Sequence, residues 1–504
     1  MPFRLLCSAL LFFVCCSTMA APAGALPPEV DAALLRAKIP LDAVSLLVLD
    51  ADTSHPTVRL THRAQVPMNP ASVMKLTTTF AALDLLGPTF AWSTPVYVDG
   101  AIQNGALSGN VYIKGQGDPK LVLEKVWLLL RRLQGIGIHH IAGDIVLDRS
   151  AFDVPEADPA NFDGEPLRPY NAAPDALLIN YKAVVMTFAP EPGGKQAQVQ
   201  FDPPLAGVQL QTSVPLSNAD CGDYRGALKA DFSDANRIRF GGNYPANCGE
   251  KVWPVAYADP RSYGTRAIQG MWLEMGGKLS GSVRFGNVPA TALAGKPAFE
   301  ISSAPLAEII RDINKYSNNV MAQQVFLTLG RAVPQGPITA TAEAVASENP
   351  GTTVSGAAGA VALSAGSFVA SRNVMQRWWK ERIGPDDLPI WENGSGLSRQ
   401  ERINAQGLAR LLQLAWRSPN MSELMSSLPI TGVDGTLKRF KSKAVGSAHL
   451  KTGTLSNVLA RAGYVDGASG KRYVLVAMIN HANANTEAAR AVMETLVEWA
   501  ARDN

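Results

Sequence analysis

Helical periodicity marks the two ends of this chain and a long β-rich stretch lies between them, which restricts the available folds more than any single residue does. From Val96 to about residue 255, short runs such as Asn110-Val-Tyr-Ile-Lys114 and Val208-Gln-Leu-Gln211 alternate with Gly, Pro, Asn and Asp. Before that stretch, residues 69–86 read as a helix. Asn69 can cap it, Pro70 suits the first turn, and Leu76, Phe80, Leu83 and Leu86 recur at helical spacing before Gly87-Pro88 ends it. After it, helical patterns return over 265–275, 306–329, 405–416 and 486–501, with strand-like runs at 448–454 and 472–479. The natural solution is an α+β architecture, helices around an antiparallel sheet, with β-rich material inserted. The expected division is 1–25 as a leader, 26–95 and 256–504 as two parts of one domain, and 96–255 as the inserted β-rich domain or domains. A chain of 504 residues with 47% apolar content can bury cores of that size.

The leader sets the compartment. Arg4 precedes an apolar run from Leu5 to Cys16, followed by small residues at Ala20, Ala21, Ala23 and Ala25, the three-part pattern of a secretory signal peptide. That run is too short for a permanent membrane span, and no later stretch reaches 18 apolar residues. No Ala or Gly precedes Cys15 or Cys16, which speaks against a lipidated cysteine. Cys7, Cys15 and Cys16 fall in the leader, leaving Cys221 and Cys248, which are either a disulfide or two buried thiols; an oxidising compartment favours the disulfide. The net charge of +3 is too balanced to mark a nucleic-acid surface. Adjacent His139 and His140 point in opposite directions on any regular element, and no metal-ligand spacing occurs, so neither a metal nor another cofactor is expected. Trp378-Trp379 reads as packing.

Three short motifs carry the chemistry: Ser72-Val-Met-Lys75, Ser317-Asn318-Asn319 and Lys451-Thr452-Gly453. A serine hydroxyl attacks a carbonyl only if a base takes its proton, and Lys75, three residues on, shares a helical face with Ser72. A lysine acts as base only when partly neutral, which burial or a neighbouring cation such as Lys451 favours. Ser72 in a first helical turn lies where backbone amides stabilise negative charge, and a neighbouring strand can complete an oxyanion hole with a backbone N–H. The run His449 to Thr454 fits that strand. Gly453 permits close approach, while strict alternation separates Lys451 and Gly453 from Thr452 and Thr454, so twist or a bulge is expected to reconcile them. Ser-x-Asn also occurs at Ser347/Asn349, Ser371/Asn373 and Ser418/Asn420, and spacing does not choose among the four. Ser395 lies in a Gly-flanked turn, as fitting for turn chemistry as for a site.

The contexts Asn69-Pro-Ala-Ser-Val-Met-Lys-Leu76, Tyr316-Ser-Asn-Asn-Val-Met-Ala322, Glu392-Asn-Gly-Ser-Gly-Leu-Ser-Arg399, Leu428-Pro-Ile-Thr-Gly-Val-Asp-Gly-Thr-Leu437 and Leu450-Lys-Thr-Gly-Thr-Leu455 resemble the D-alanyl-D-alanine carboxypeptidase/endopeptidase family, the class C low-molecular-mass penicillin-binding proteins. The likeness spans the chain after its leader and selects Ser317 among the Ser-x-Asn matches. It implies a β-lactamase/transpeptidase-like domain with insertions, and a periplasmic enzyme acting on peptidoglycan stem peptides and acylated by β-lactam antibiotics. Peripheral membrane association stays open. It further implies Ser72 as nucleophile, Lys75 as base, Ser317 as proton relay and Asn319 as a positioner of substrate and water. Lys451 and Thr452 would hold the substrate carboxylate, Gly453 and Ser395 would line the substrate site, and the N–H groups of Ser72 and Thr454 would form the oxyanion hole. A serine β-lactamase shares the trio, and a non-catalytic wall-binding or penicillin-sensing protein would keep the fold.

Overall fold

A computed structural model describes residues 26–52, 55–333 and 364–503. The leader, with its three cysteines, and the Ser347/Asn349 match lie outside the described residues.

Along the chain, α1 (Pro28–Ala37), β1 (Val44–Asp50) and β2 (Val58–His62) precede a 3₁₀ turn (Ala71–Met74) that runs straight into α2 (Lys75–Leu86). The middle region holds β3 (Ser93–Val98), β4 (Val111–Lys114), α3 (Leu123–Gly135), β5 (Ile145–Asp148), β6 (Ala183–Pro190), β7 (Gln196–Asp202), β8 (Ser213–Ser217), β9 (Tyr244–Pro245), β10 (Lys251–Ala256), α4 (Pro260–Glu274), β11 (Val283–Phe285) and β12 (Phe299–Ser302), besides shorter pieces. Then come α5 (Leu306–Tyr316), α6 (Asn319–Ala332), α7 (Phe368–Arg382), α8 (Ala405–Trp416), β13 (Ala448–Leu455), β14 (Val458–Asp466), β15 (Arg472–Asn480) and α9 (Glu487–Arg502).

Strands from both ends of the chain build one antiparallel sheet in the order β2-β1-β15-β14-β13. One face packs α1 and α9 against Val44, Leu46, Leu475 and Ala477. The other carries Leu47, Ala460, Val474 and Val476 against α2, α5, α6, α7 and α8. The expected helix-covered antiparallel sheet is thus present. Trp378 and Trp379 are fully buried in that second core. Helix α2 runs through it with every residue from Lys75 to Leu83 buried. Its threonine hydroxyls find partners at once: Thr77 and Thr79 donate to the Met74 and Lys75 carbonyls (2.8 Å each), and Thr78 to that of Gly394 (2.7 Å).

The middle region forms two five-stranded sheets, β11-β5-β4-β3-β12 and β9-β8-β7-β6-β10, with two smaller ones, around a core of its own. One expectation changes here. β12 pairs with β3, Ser302 opposite Ser93, and Met271 and Trp272 of α4 belong to the middle core, so the material between the halves of the catalytic part extends to about residue 302 rather than 255. Within this β-rich material α3 buries Val126, Leu129, Leu130 and Leu133 at helical spacing. The Cys221–Cys248 disulfide forms, with Cα atoms 4.8 Å apart.

Two further expectations change in the catalytic part. The helical stretch 306–329 breaks at Ser317, whose φ of 57° ends α5, while the Asn318 side chain accepts from Met321 N to start α6. Strand β14 was not expected from the sequence. Buried on both faces from Val458 to Val465 and interrupted by Ala and Gly, it shows no alternation.

Candidate active site

The site lies where the 3₁₀ turn, the α5–α6 break and edge strand β13 meet. Ser72 is in the 3₁₀ turn, not in the first turn of the α-helix as its spacing suggested, and Lys75 opens α2. The turn is held from outside. Asn69 accepts Ala71 N at 2.8 Å, donates to Ser398 O at 2.9 Å, and exchanges bonds with Asn480 at the end of β15, at 2.9 and 3.0 Å. This clamp keeps Ala71 at φ 47°, a left-handed value costly for alanine. The strain sits next to Ser72.

Lys75 Nζ gathers three acceptors: Ser72 Oγ (2.9 Å), Asn319 Oδ1 (2.6 Å) and Ser395 O (2.5 Å). Burial lowers its pKa to about 7, although the buried Glu401 carboxylate pulls the other way. Asn319 also donates Nδ2 to Tyr170 O at 3.3 Å, so the middle region borders the site. Lys451 Nζ donates to Ser317 Oγ (2.9 Å) and Thr452 O (2.8 Å). Burial first, then the charges of Lys75 and Arg461, hold its pKa well below the ordinary lysine value. The structure therefore brings Ser72, Lys75, Ser317, Asn319 and Lys451 into one hydrogen-bonded cluster, while Ser371 and Ser418 lie elsewhere, as the N-terminal turn of α7 and the loop after α8 require.

Strand β13 pairs with β14 in unbroken register from Ala448↔Val465 to Leu455↔Val458, so no bulge reconciles Lys451 with Thr454. Alternation holds. Lys451 reaches Ser317 from one face, while Thr452 contacts Thr436 Oγ1 at 2.7 Å from the other. Leu450 N donates outward to Pro429 O. By the two-residue period, the Thr452 and Thr454 N–H groups also point to the open edge. A Cβ on Gly453 would come within 2.4 Å of Pro70 O and 3.2 Å of Ser72 N, so only glycine lets the strand lie this close to the nucleophile turn.

Ser395, expected at the substrate, has no exposed surface. Its hydroxyl donates to Asn393 Oδ1 at 2.7 Å inside the turn, and its carbonyl on Lys75 is its link to the site. Sequence reasoning missed Glu401. This fully buried carboxylate accepts the N–H groups of Glu392, Asn393 and Gly394 at 2.9–3.0 Å and so holds the turn that presents Ser395 O. It also missed the ion pair of Lys315 with Asp434 (2.6 Å), which ties α5 to the loop carrying Thr436. Among the described residues no group of three or more His, Cys, Asp or Glu is arranged to hold a metal ion. No helix there is long and apolar enough to cross a membrane.

Ser72, Ser317, Thr452 and Thr454 open onto one cleft of about 420 Å³, room for a short peptide. The chain is similar to known proteins over most of its length. D-alanyl-D-alanine carboxypeptidase DacB of Haemophilus influenzae is 25% identical over 415 residues, 81% of this chain and 80% of the relative. D-alanyl-D-alanine carboxypeptidase of Actinomadura sp. (strain R39) is 26% identical over 417 residues, 80% of this chain and 71% of the relative. The crystal structure of penicillin binding protein 4 from H. influenzae superposes with a TM-score of 0.67 at 23% identity, covering 93% of this chain and 98% of that one. The same protein complexed with a novel β-lactam gives 0.64, also at 23% identity, covering 93% and 97%. The sequence pattern of the D-Ala-D-Ala carboxypeptidase 3 (S13) family matches residues 26–376 and 354–503, which takes in all three motifs, and the chain belongs to that family.

Proposed function

We propose that the protein is a serine DD-carboxypeptidase and DD-endopeptidase of the cell wall, cleaving D-Ala–D-Ala and D-Ala–diaminopimelate bonds of peptidoglycan stem peptides through an acyl-enzyme on Ser72. The observation that carries this reading is the 2.9 Å contact of Lys75 Nζ with Ser72 Oγ, made by an ammonium whose pKa is lowered to about 7. At neutral pH a large fraction of Lys75 is the free amine, able to accept the serine proton.

In the first step Ser72 Oγ attacks the D-alanyl carbonyl while its proton passes to Lys75. The oxyanion is met by the N–H groups of Ser72 and Thr454, the latter on the open edge of β13. Collapse of the intermediate breaks the C–N bond. The leaving amine takes a proton through Ser317, which Lys451 polarises at 2.9 Å. Water then attacks the ester, positioned by Asn319, and Ser72 regains its proton. Penicillin enters the first step and is retained as the ester. The substrate places the enzyme outside the cytoplasm, in the periplasm, in keeping with the leader sequence.

The test follows the intact mass of the protein with benzylpenicillin, beside Ser72→Ala. A lasting single adduct, absent from the variant, is expected. An adduct that vanishes within seconds while penicillin is consumed would instead make the protein a β-lactamase, and no adduct would leave a non-catalytic binding protein.

A further inference from the structure

Asn319 meets the middle region through its side-chain amide, and the groups at the two ends of that amide decide which way it faces. Its Oδ1 accepts from Lys75 Nζ at 2.6 Å, and its Nδ2 donates to the Tyr170 carbonyl at 3.3 Å. Turned over, the amide would set Nδ2 against the Lys75 ammonium, donor on donor, and Oδ1 against a carbonyl, acceptor on acceptor. The free amine changes this balance. Once Lys75 has lost a proton it holds two N–H bonds and a lone pair, and an inverted Asn319 could donate Nδ2 to that lone pair. The base would then be occupied before Ser72 could use it. As the amide stands, Asn319 Oδ1 and the Ser395 carbonyl can only accept, so both N–H bonds go to them and the lone pair is left for the Ser72 hydroxyl, 2.9 Å away. At the amine stage Lys75 is nearly indifferent to the direction of the amide, and the Tyr170 carbonyl decides it.

That carbonyl is held from behind. Tyr170 lies in a 3₁₀ turn, Pro169–Asn171, and Asp163, seven residues back, braces the turn with both carboxylate oxygens. Oδ2 accepts the Tyr170 hydroxyl at 2.9 Å, while Oδ1 accepts Asn171 Nδ2 at 2.7 Å and Glu165 N at 3.1 Å. The buried Asn171 also donates to Glu165 O at 3.0 Å. Asp163 therefore grips the residues on both sides of the peptide whose carbonyl faces Asn319. We propose that Asp163 is a positioning residue for acylation: through the Tyr170–Asn171 peptide it fixes the direction of the Asn319 amide and so keeps the lone pair of Lys75 turned to Ser72.

This rests on the reading of Lys75 as the base for Ser72 and adds a loop of the middle region to the groups that serve it. It also has a signature in pH. Inversion of the amide blocks only the free amine, since the ammonium selects the observed direction by itself. At low pH the amount of free, correctly faced amine is set by the proton concentration and is the same whether or not inversion is allowed. At high pH the inverted form accumulates at the expense of the active one.

The test measures second-order acylation rates with benzylpenicillin from acid to alkaline pH in the wild type, Asp163→Ala, Asp163→Asn and Tyr170→Phe, with thermal midpoints as a folding control. Asp163 is exposed, so its replacement leaves the cores intact. Asp163→Ala should match the wild type on the acid limb, while its alkaline plateau falls about 3- to 10-fold, the range of one ordinary hydrogen bond. The midpoint of the rise should move down by the logarithm of that factor, about 0.5 to 1 pH unit. Tyr170→Phe, which removes one of the two grips, should show a smaller change of the same shape, and Asp163→Asn, which keeps a partner for both, should restore the wild-type profile. A profile lowered equally at every pH, or a plateau unchanged in both Asp163→Ala and Tyr170→Phe, overturns the positioning role while leaving the Ser72 reading intact. A wild type that is not acylated, or whose acylation shows no rise through neutral pH, overturns Lys75 as the base and this inference with it.

Discussion

Lys75 is buried, hydrogen-bonded on three sides and yet close to neutral, a combination only a folded environment produces. On the proposed reading that the free amine of Lys75 is the base, the rate of acylation by benzylpenicillin should rise with pH through about 7 and level off above it. Glu401 opposes the burial by favouring the ammonium, so Glu401→Gln, which can keep the three backbone bonds, should move that rise to lower pH. An unmoved profile would remove Glu401 from the electrostatics of the site. Ser72 and Lys75 were legible in the sequence because their spacing is local, and Lys451 because Lys-Thr-Gly is a motif in its own right. Glu401 and Arg461 were not: one acts on a turn seven to nine residues back, the other gains its surroundings from strand pairing.

At the scale of elements, the decisive contact is the edge of β13 against the 3₁₀ turn. Gly453→Ala would drive a methyl group to 2.4 Å from Pro70 O, a backbone atom that cannot swing away. The strand must retreat, taking the Thr454 N–H from its place in the proposed oxyanion hole. Misplacement on that scale costs about 100-fold. The expected result is a fall of that order in acylation rate with a largely retained thermal midpoint; an unchanged rate would show that the strand and turn do not act as a unit. Most helices were readable from periodicity, α8 to the residue. The break at Ser317 was not, because apolar spacing runs through it and the evidence for it is a single left-handed residue followed by an Asn cap.

On the scale of the whole molecule, separate cores serve the catalytic sheet and the middle region. The disulfide belongs to the second, closing a stretch of sequence separation 27. Replacing both cysteines by serine should cost about 3.5 kcal/mol by the chain-entropy account. Calorimetry should register the loss in the middle region while penicillin acylation proceeds at its normal rate; a slowed acylation would mean the two bodies are energetically joined. The sequence reading cut the middle region short, since α4 has the texture of a catalytic-part helix and only the pairing of β12 with β3 reveals where it belongs. That pairing reaches further. Ser93 and Ser302 are neighbours across two strands, and Ser303 N donates to Trp92 O at 2.9 Å, so some two hundred residues leave and return through a single stem about one strand spacing wide. The two ends of the middle body thus sit one strand spacing apart, so its length can vary without moving the ends of the catalytic chain. What fixes it in place is a set of contacts on the catalytic helices: Lys120 with Asp312, Asp175 with Gln324, and the Tyr170 carbonyl beside Asn319.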